Sequence, residues 1–501
     1  MKSRITGLTI IIVLLFGLIL GQAWFVQVHR AEQLNRSPTN PQVAKAARLN
    51  PRGEILSTNG AVLAQSIRTR SSYNPWRRVY PYGALTSDVV GYSSIIYGTG
   101  GIEYQYDGSL ISHSQPAQSI GDLIDPKQSS NTVQLTLSVP LQQVAARALA
   151  GRDGAVVALD PRNGAVLAMY SNPTYDPAPL TSLSTAVQRA AWARYNTDDY
   201  LHLPPLGNVA TQETYPPGST FKVVTTAGIL RYAPDLANAS FPQSNQLDLR
   251  PYGSNQILYN SGFGACGGTI TSMLPASCDP GYAWLGIKLG APSLHAQATQ
   301  FGYNQVLPLD LPGVVPSYFP PVRYFNNADP FLAYSAIGQD NVRATALQNA
   351  LVAAAVANGG KEMAPHFLSL VTNAQGDVVE RYRPYLWHHP IGPAEASTIN
   401  TLMQAVVTNG TASLVQFSPQ DQVAAKTGTA QTAGNTKTDD WMIAFAPASN
   451  PVVAVAVVVP NQTLFDWGAT VAGPIVKCVI EGALAIHAKQ PPAGTATTCP
   501  K

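Results

Sequence analysis

The sequence is short of charge. Asp, Glu, Lys and Arg make up 12 % of its 501 residues, against roughly 25 % in an average soluble protein, so Ser, Thr, Asn, Gln, Gly and Pro must cover much of its surface. Neither sign dominates. The 31 basic and 28 acidic side chains leave a net charge of +3, far from the basic excess that a phosphate backbone requires, and nucleic acid is excluded as a partner. Cysteine is scarce too, with four residues and no C-x-x-C pair, which removes the common zinc and dithiol patterns. The eight histidines include no H-E-x-x-H, and there is no G-x-S-x-G or G-x-x-x-x-G-K-[ST]. Zinc peptidase, α/β-hydrolase and P-loop chemistry thus have no motif here, and neither metal nor cofactor is expected.

What is present bounds the architecture. A 45 % hydrophobic content supplies a packed core and excludes bulk disorder, and the length calls for at least two domains. Forty Pro and 40 Gly fall without a period, which points to many turns rather than to collagen. Long apolar runs number one: Ile5 to Val28 carries no charge over 24 residues and is long enough to cross a hydrocarbon core of about 30 Å. Lys2 and Arg4 precede it, so the positive-inside tendency puts the N-terminus in the cytoplasm and the rest outside. A cleaved signal peptide has an apolar region of about 7–15 residues; this run exceeds that, and an uncleaved single-pass anchor in the cell membrane is expected.

Short alternating runs around Asn59-Gly60, at 54–57 and 61–64, read as a hairpin. Gly- and Tyr-rich irregular sequence continues to about Ser130. From there the pattern firms into a strand over 133–137, a helix over 140–149, and two strands over 154–159 and 165–170 around the Pro161-Arg162-Asn163-Gly164 turn. Helices are expected over 219–231, 281–289, 344–358, 395–408 and 471–487, with buried strands over 423–425, 441–445 and 452–459. The resulting division is an anchor over 1–30, a mostly-β pedestal over 31–130, a second globular domain over 131–488 and a loose tail over 489–501.

The chemistry concentrates in two places. Ser219-Thr220-Phe221-Lys222 places a serine and a lysine three apart, on one face of the expected helix. A serine hydroxyl is a poor nucleophile until a base takes its proton, and a desolvated lysine can do so. Alone, S-x-x-K is more often a helix cap followed by a solvated lysine. Lys426-Thr427-Gly428, after the apolar Val423-Ala424-Ala425, adds a cation and a hydroxyl for a substrate carboxylate, and a glycine that permits close approach to an edge strand. S-x-x-K followed by K-T-G marks penicillin-binding proteins and serine β-lactamases. Gly262-Phe263-Gly264-Ala265-Cys266-Gly267 formally fits G-x-G-x-x-G, but no acidic residue sits about 20 positions on and no helix clearly follows, so a Cys-stapled loop is the better reading.

With these motifs the chain resembles a class B penicillin-binding protein, most of all its penicillin-binding protein A branch, from about Arg52 to Pro474. Arg52-Gly53-Glu54-Ile55 and Gly101-Ile102-Glu103 resemble the opening of the pedestal. Tyr215-Pro216-Pro217-Gly218-Ser219-Thr220-Phe221-Lys222 and Lys426-Thr427-Gly428-Thr429-Ala430-Gln431 resemble the catalytic motifs, and Gly338-Gln339 falls in order. The nearest match to the family's Ser-x-Asn is Ser277-Cys278-Asp279. The resemblance implies an α+β transpeptidase domain, an antiparallel sheet flanked by helices, behind a membrane helix and pedestal. It also implies a peptidoglycan D,D-transpeptidase that forms an acyl-enzyme on Ser219, recognises D-Ala-D-Ala stem peptides, is acylated by β-lactams, and works beside a membrane glycan polymerase. Lys222 would be the base, Ser277 a proton shuttle, and Asp279, Lys426, Thr427, Gly428 and Thr429 substrate-binding, with Thr429 and Ser219 supplying oxyanion N–H groups. The alternatives are a catalytically impaired penicillin-binding scaffold, or a β-lactamase, for which no Glu lies between Glu213 and Glu362 to activate water.

Two departures from the family stand out. Val209 follows Asn208 where an Arg is usual, and Asp279 stands where an Asn is usual. An ionised Asp can only accept hydrogen bonds, and its charge is expected to favour protonated lysines around Ser219. Cys266 with Cys278 is the candidate disulfide; Cys478 and Cys499 are read as readily as buried thiols as a second bridge.

Overall fold

The structure is a computed structural model that describes residues 2–30, 49–72, 74–114, 128–197, 204–262, 264–325, 329–432, 436–489 and 499. The expected loose tail falls outside these apart from Lys489 and Cys499. The main strands, in chain order, are β1 (Ile55–Leu56), β2 (Val62–Arg68), β3 (Trp76–Val79), β4 (Thr132–Leu135), β5 (Gly154–Leu159), β6 (Val166–Asn172), β7 (Leu368–Thr372), β8 (Val378–Arg381), β9 (Ala424–Thr432), β10 (Lys437–Ala446) and β11 (Val453–Gln462). The helices used below are α1 (Lys2–Trp24), α2 (Val139–Leu149), α3 (Lys222–Tyr232), α4 (Asp279–Leu289), α5 (Ala346–Ala357), α6 (Pro393–Thr408) and α7 (Gly468–His487).

The C-terminal part of the chain is built on a five-stranded antiparallel sheet in the order β6-β5-β11-β10-β9. Its central strand explains why the sequence there is apolar without alternation. Ala454, Ala456 and Val458 of β11 enter one core cluster with Leu347 and Leu351 of α5, while Val453, Val455 and Val457 enter another with Val144 of α2 and Ile475 and Val479 of α7. A strand covered on both faces must be apolar at every position. Helix α7 has the length and composition of a membrane span, yet 56 % of its most apolar window is buried in this layer, and it is a core helix. Helix α1 is the opposite case: it is apolar and uncovered, with Leu14 67 % and Leu18 72 % exposed.

The hairpin signature at Asn59-Gly60 appears as antiparallel β1 and β2. They belong to a six-stranded sheet ordered β8-β7-β4-β1-β2-β3, in which only β1 and β4 run parallel. Strands β7 and β8 come from residues beyond 360, so the pedestal sheet borrows strands from the C-terminal part of the chain. Asp310 ties the two regions further. Its carboxylate accepts the Phe367 and Leu368 N–H groups at 2.6 and 2.7 Å, and the hydroxyl of Tyr106 donates to it at 2.6 Å.

Inside the pedestal the two motif fragments meet. Arg52 Nε donates to Glu103 at 3.0 Å and its Nη1 to Asp107 at 2.7 Å, while Arg78 Nε donates to the other Glu103 oxygen at 2.5 Å and Tyr80 OH joins at 3.2 Å. Glu103 is fully buried. Burial alone would raise its pKa, but the charges of Arg78 and Arg52 outweigh burial and hold it below the usual carboxylate value. Removing one member of a buried ion network strands the others, at about 3–5 kcal/mol. Glu103→Ala should therefore destabilise the protein by on the order of 3–5 kcal/mol in urea unfolding, and a change below about 1 kcal/mol, the worth of a surface pair, would refute a structural role for the network. Because the folded pKa is depressed, this contribution is complete above the unfolded Glu value of about 4.3 and fades as pH falls through the lower folded value.

Candidate active site

The expected helix over 219–231 begins later than its sequence suggests. Pro216-Pro217 and Gly218, whose φ is +52°, lead into a single 3-10 turn over Gly218–Phe221, and α3 starts at Lys222. Ser219 thus lies on the turn ahead of the helix rather than in its first turn. Prolines at 216 and 217 supply no N–H, and a glycine in the left-handed region redirects the chain there at no Cβ cost. Three contacts fix this turn. Gly218 N donates to Gly338 O at 2.9 Å, Trp441 Nε1 of β10 donates to Pro216 O at 2.9 Å, and Phe221 stacks on Phe319 at 5.5 Å between ring centroids.

Lys222, three residues after Ser219, opens α3. Its side chain is completely buried, and its ammonium donates to Asp279 Oδ1 at 2.7 Å, Ser277 O at 2.6 Å and Ser277 Oγ at 3.4 Å. From the sheet edge, Lys426 of β9, also completely buried, donates to Ser277 Oγ at 2.8 Å and to Thr427 O at 2.9 Å. Ser277 is therefore the bridge between the two lysines, and it has a φ of +55°, an uncommon backbone state for a non-glycine residue that tends to mark functional positions. Cys278, between Ser277 and Asp279, is joined to Cys266 by a disulfide with Cα atoms 5.6 Å apart; it pins the start of α4 to a short strand at Cys266–Gly268. Cys478 and Cys499 form a second bridge.

The electrostatics follow from burial. Enclosure lowers the Lys222 pKa from its ordinary value and outweighs the opposing charge of Asp279. Lys426 is driven down further, by burial first and then by the neighbouring Lys222 charge, with Asp279 again opposing. A lysine with a depressed pKa can act as a base near neutral pH. The expectation that Asp279 favours protonated lysines is right in sign, but desolvation is the larger effect.

Ser219, Asp279, Thr429 and Gln431 line one cleft of roughly 1540 Å³, together with Tyr215, Phe331, Tyr334, Phe465 and Trp467. Strand β9 is the sheet edge on its flank, and Gly428 lets the two walls close: a Cβ there would sit 2.8 Å from Pro217 O. Thr427 Oγ1 pairs with Thr411 Oγ1 at 2.6 Å, and Thr429 Oγ1 accepts the first N–H of α7, from Gly468, at 3.0 Å. Val209 is buried in the apolar core, while Asn208 accepts the Ala210 N–H and donates to Asp88 O at 3.0 Å. Sequence reasoning missed Asn260, Ser261 and Thr411, single polar residues in loops with no motif to flag them; Asn260 Oδ1 and Ser261 N hold the Asp279 N–H and its second oxygen at 3.0 and 2.9 Å. Among the described residues no group of His, Cys, Asp or Glu is arranged to hold a metal ion.

A serine on a fixed turn, a buried lysine three residues on and a second buried lysine joined to it through a bridging hydroxyl are the groups that acyl-transfer chemistry requires. Comparison with known proteins agrees. Residues 154–481 match the penicillin-binding protein transpeptidase domain, and 52–131 match the penicillin-binding protein A dimerisation domain. The chain belongs to the penicillin-binding protein transpeptidase family. It is 34 % identical to the peptidoglycan D,D-transpeptidase PbpA of Mycolicibacterium smegmatis over 97 % of this chain and 99 % of the relative, and 33 % identical to PbpA of Mycobacterium tuberculosis over the same shares. Among solved structures, the ceftriaxone acyl-enzyme of M. tuberculosis penicillin-binding protein A superposes with a TM-score of 0.78 at 32 % identity, covering 87 % of this chain and 99 % of that one.

Gly338 supplies the sharpest local test of how this family member positions its serine. Its φ is +75°, and a Cβ there would lie 2.1 Å from Gly218 O and 2.8 Å from the Phe221 Cβ. Gly338→Ala must push the Ser219 turn off its seat, and a misplacement of about 1 Å costs roughly 10²-fold in rate. Labelling by a fluorescent penicillin should slow by about that factor with the fold retained by circular dichroism; an unchanged rate would mean that the turn does not depend on Gly338.

Proposed function

We propose that this chain is a membrane-anchored peptidoglycan D,D-transpeptidase that cross-links stem peptides through an acyl-enzyme on Ser219. The observation that carries the reading is the convergence of Lys222 and Lys426, 204 positions apart in the chain, on the single hydroxyl of Ser277, with Ser219 three residues before Lys222 and lining the same cleft as Asp279. Ser219 Oγ attacks the carbonyl of the penultimate D-Ala as Lys222 receives its proton. The C–N bond breaks, the terminal D-Ala leaves, and its nitrogen takes a proton through Ser277. An amine on a second stem peptide then attacks the ester and restores Ser219. Lys426 and Thr427 provide charge and a hydroxyl for the substrate carboxylate, Gly428 gives the ligand access to the edge strand, and Ser219 and Thr429 supply N–H groups for the oxyanion. β-Lactams acylate the same serine because their amide imitates D-Ala-D-Ala.

The apolar, uncovered α1 supports anchorage, with Lys2 and Arg4 on the cytoplasmic side and the cleft outside. Strands β1 to β4 of the pedestal sheet stand between that helix and the five-stranded sheet in the chain, and the helix and pedestal are the surfaces offered to a membrane glycan polymerase.

Ser219→Ala removes one oxygen from a half-buried turn residue and little packing. It should abolish fluorescent penicillin labelling while leaving the thermal transition within a few degrees of native, by about the effect of a neutral surface change. Labelling that persists in this variant would place the nucleophile elsewhere and overturn the assignment.

A further inference from the structure

The hydrogen bonds around Lys222 describe a lysine that is tied up. An ammonium has three N–H groups and no lone pair, and those of Lys222 are taken by Asp279 Oδ1, Ser277 O and Ser277 Oγ. Seated in this way it can take no proton from Ser219. Asp279 is itself held from several sides. It is the first residue of α4, where exposed N–H groups favour negative charge; its second oxygen accepts the Ser261 N–H at 2.9 Å, and its own N–H is held by Asn260 at 3.0 Å.

Among the described residues, the groups that face the pair include no other counter-charge. Lys426 approaches from β9 through Ser277. Tyr282 of α4 lies with its ring 5.6 Å from Lys222 Nζ, and its hydroxyl pairs with Thr226 of α3 at 2.7 Å; burial pushes that phenol well above its ordinary value, so it stays neutral. The loop carrying Asn260 and Ser261 contributes only neutral groups. One carboxylate therefore faces two lysines. A carboxamide in its place keeps an acceptor for Lys222 but removes the charge that makes the pair strong.

Resting on the acyl-transfer reading, we propose that Asp279 is a positioning residue that sets the pH range of acylation, by holding Lys222 as a bound ammonium that must lose a proton before Ser219 can react. The reacting fraction carries Lys222 as a free amine. The Ser219 proton moves to that amine as the Oγ–C bond forms, the C–N bond breaks, and the leaving nitrogen takes a proton from the lysine pair through Ser277, so the pair ends the step with the protons it began with. Without the carboxylate the ammonium is less favoured, and a larger fraction of molecules is reactive at any pH on the acid limb.

The test is the second-order rate of labelling by fluorescent penicillin, from about pH 5 to 10, a span that brackets a lysine lowered from about 10.4. Full-length, detergent-solubilised native, Asp279→Asn, Asp279→Ala and Ser219→Ala proteins are compared. The midpoint of the acid limb should fall by about 1–3 pH units in both Asp279 variants, and the Asn variant should have the higher plateau because it keeps an acceptor for Lys222. The Ala variant keeps the test open if the Asn variant does not fold. A midpoint that stays put or rises in a folded variant overturns the proposal whatever happens to the plateau, since a merely structural Asp279 would change the plateau alone. Absence of labelling in the native protein would instead overturn the acyl-transfer reading itself.

Discussion

Two lysines enclosed beside one carboxylate are the constraint around which this molecule is arranged. Taking an ammonium out of water costs several kcal/mol unless charge and hydrogen bonds replace the hydration, and Lys222 and Lys426 are both completely buried. The replacement is assembled from three separate places: the Ser277 backbone and hydroxyl, the Asp279 carboxylate, and the Thr427 carbonyl. Each of these positions depends on a larger element. The disulfide at Cys278 and the start of α4 present Ser277 and Asp279, and the edge strand of the five-stranded sheet presents Lys426 and Thr427.

The same arrangement explains why the site is strained locally and rigid globally. Ser277 adopts a positive φ, and Gly218 and Gly338 do the same where their backbones touch. Such conformations persist only when the surroundings over-determine them. Here the surroundings are the sheet, which is covered on both faces, and the aromatic contacts of Phe221 with Tyr303 and Phe319. Ser219 can then remain partly accessible in an open cleft while the turn that carries it is packed.

The fold was legible wherever one local pattern decided it. The run over 452–459, short and apolar at nearly every position, read as a buried strand. Asn59-Gly60 between short apolar runs marked the hairpin. Legibility ended where partners were distant. Nothing in residues 368–381 announces that they complete the pedestal sheet, because edge pairing depends on which strand lies alongside. Nothing local to Pro216-Pro217-Gly218 gives the 3-10 turn its length, because Gly338 and Trp441 hold it from elsewhere in the chain.

By itself, the sequence determined the candidate site's parts: a serine and lysine three apart, a Lys-Thr-Gly after an apolar strand, and an Asp where the family resemblance implies an Asn. Residue type and short spacing carry that information, since they define which groups can donate, accept or hold a charge. Tertiary structure alone decided that Ser277 joins the two lysines, that Asp279 reaches Lys222 rather than solvent, and that burial depresses both lysines despite the added carboxylate. Desolvation and charge pairing depend on distance through space and on the exclusion of water, and neither quantity is written in a chain until it has folded.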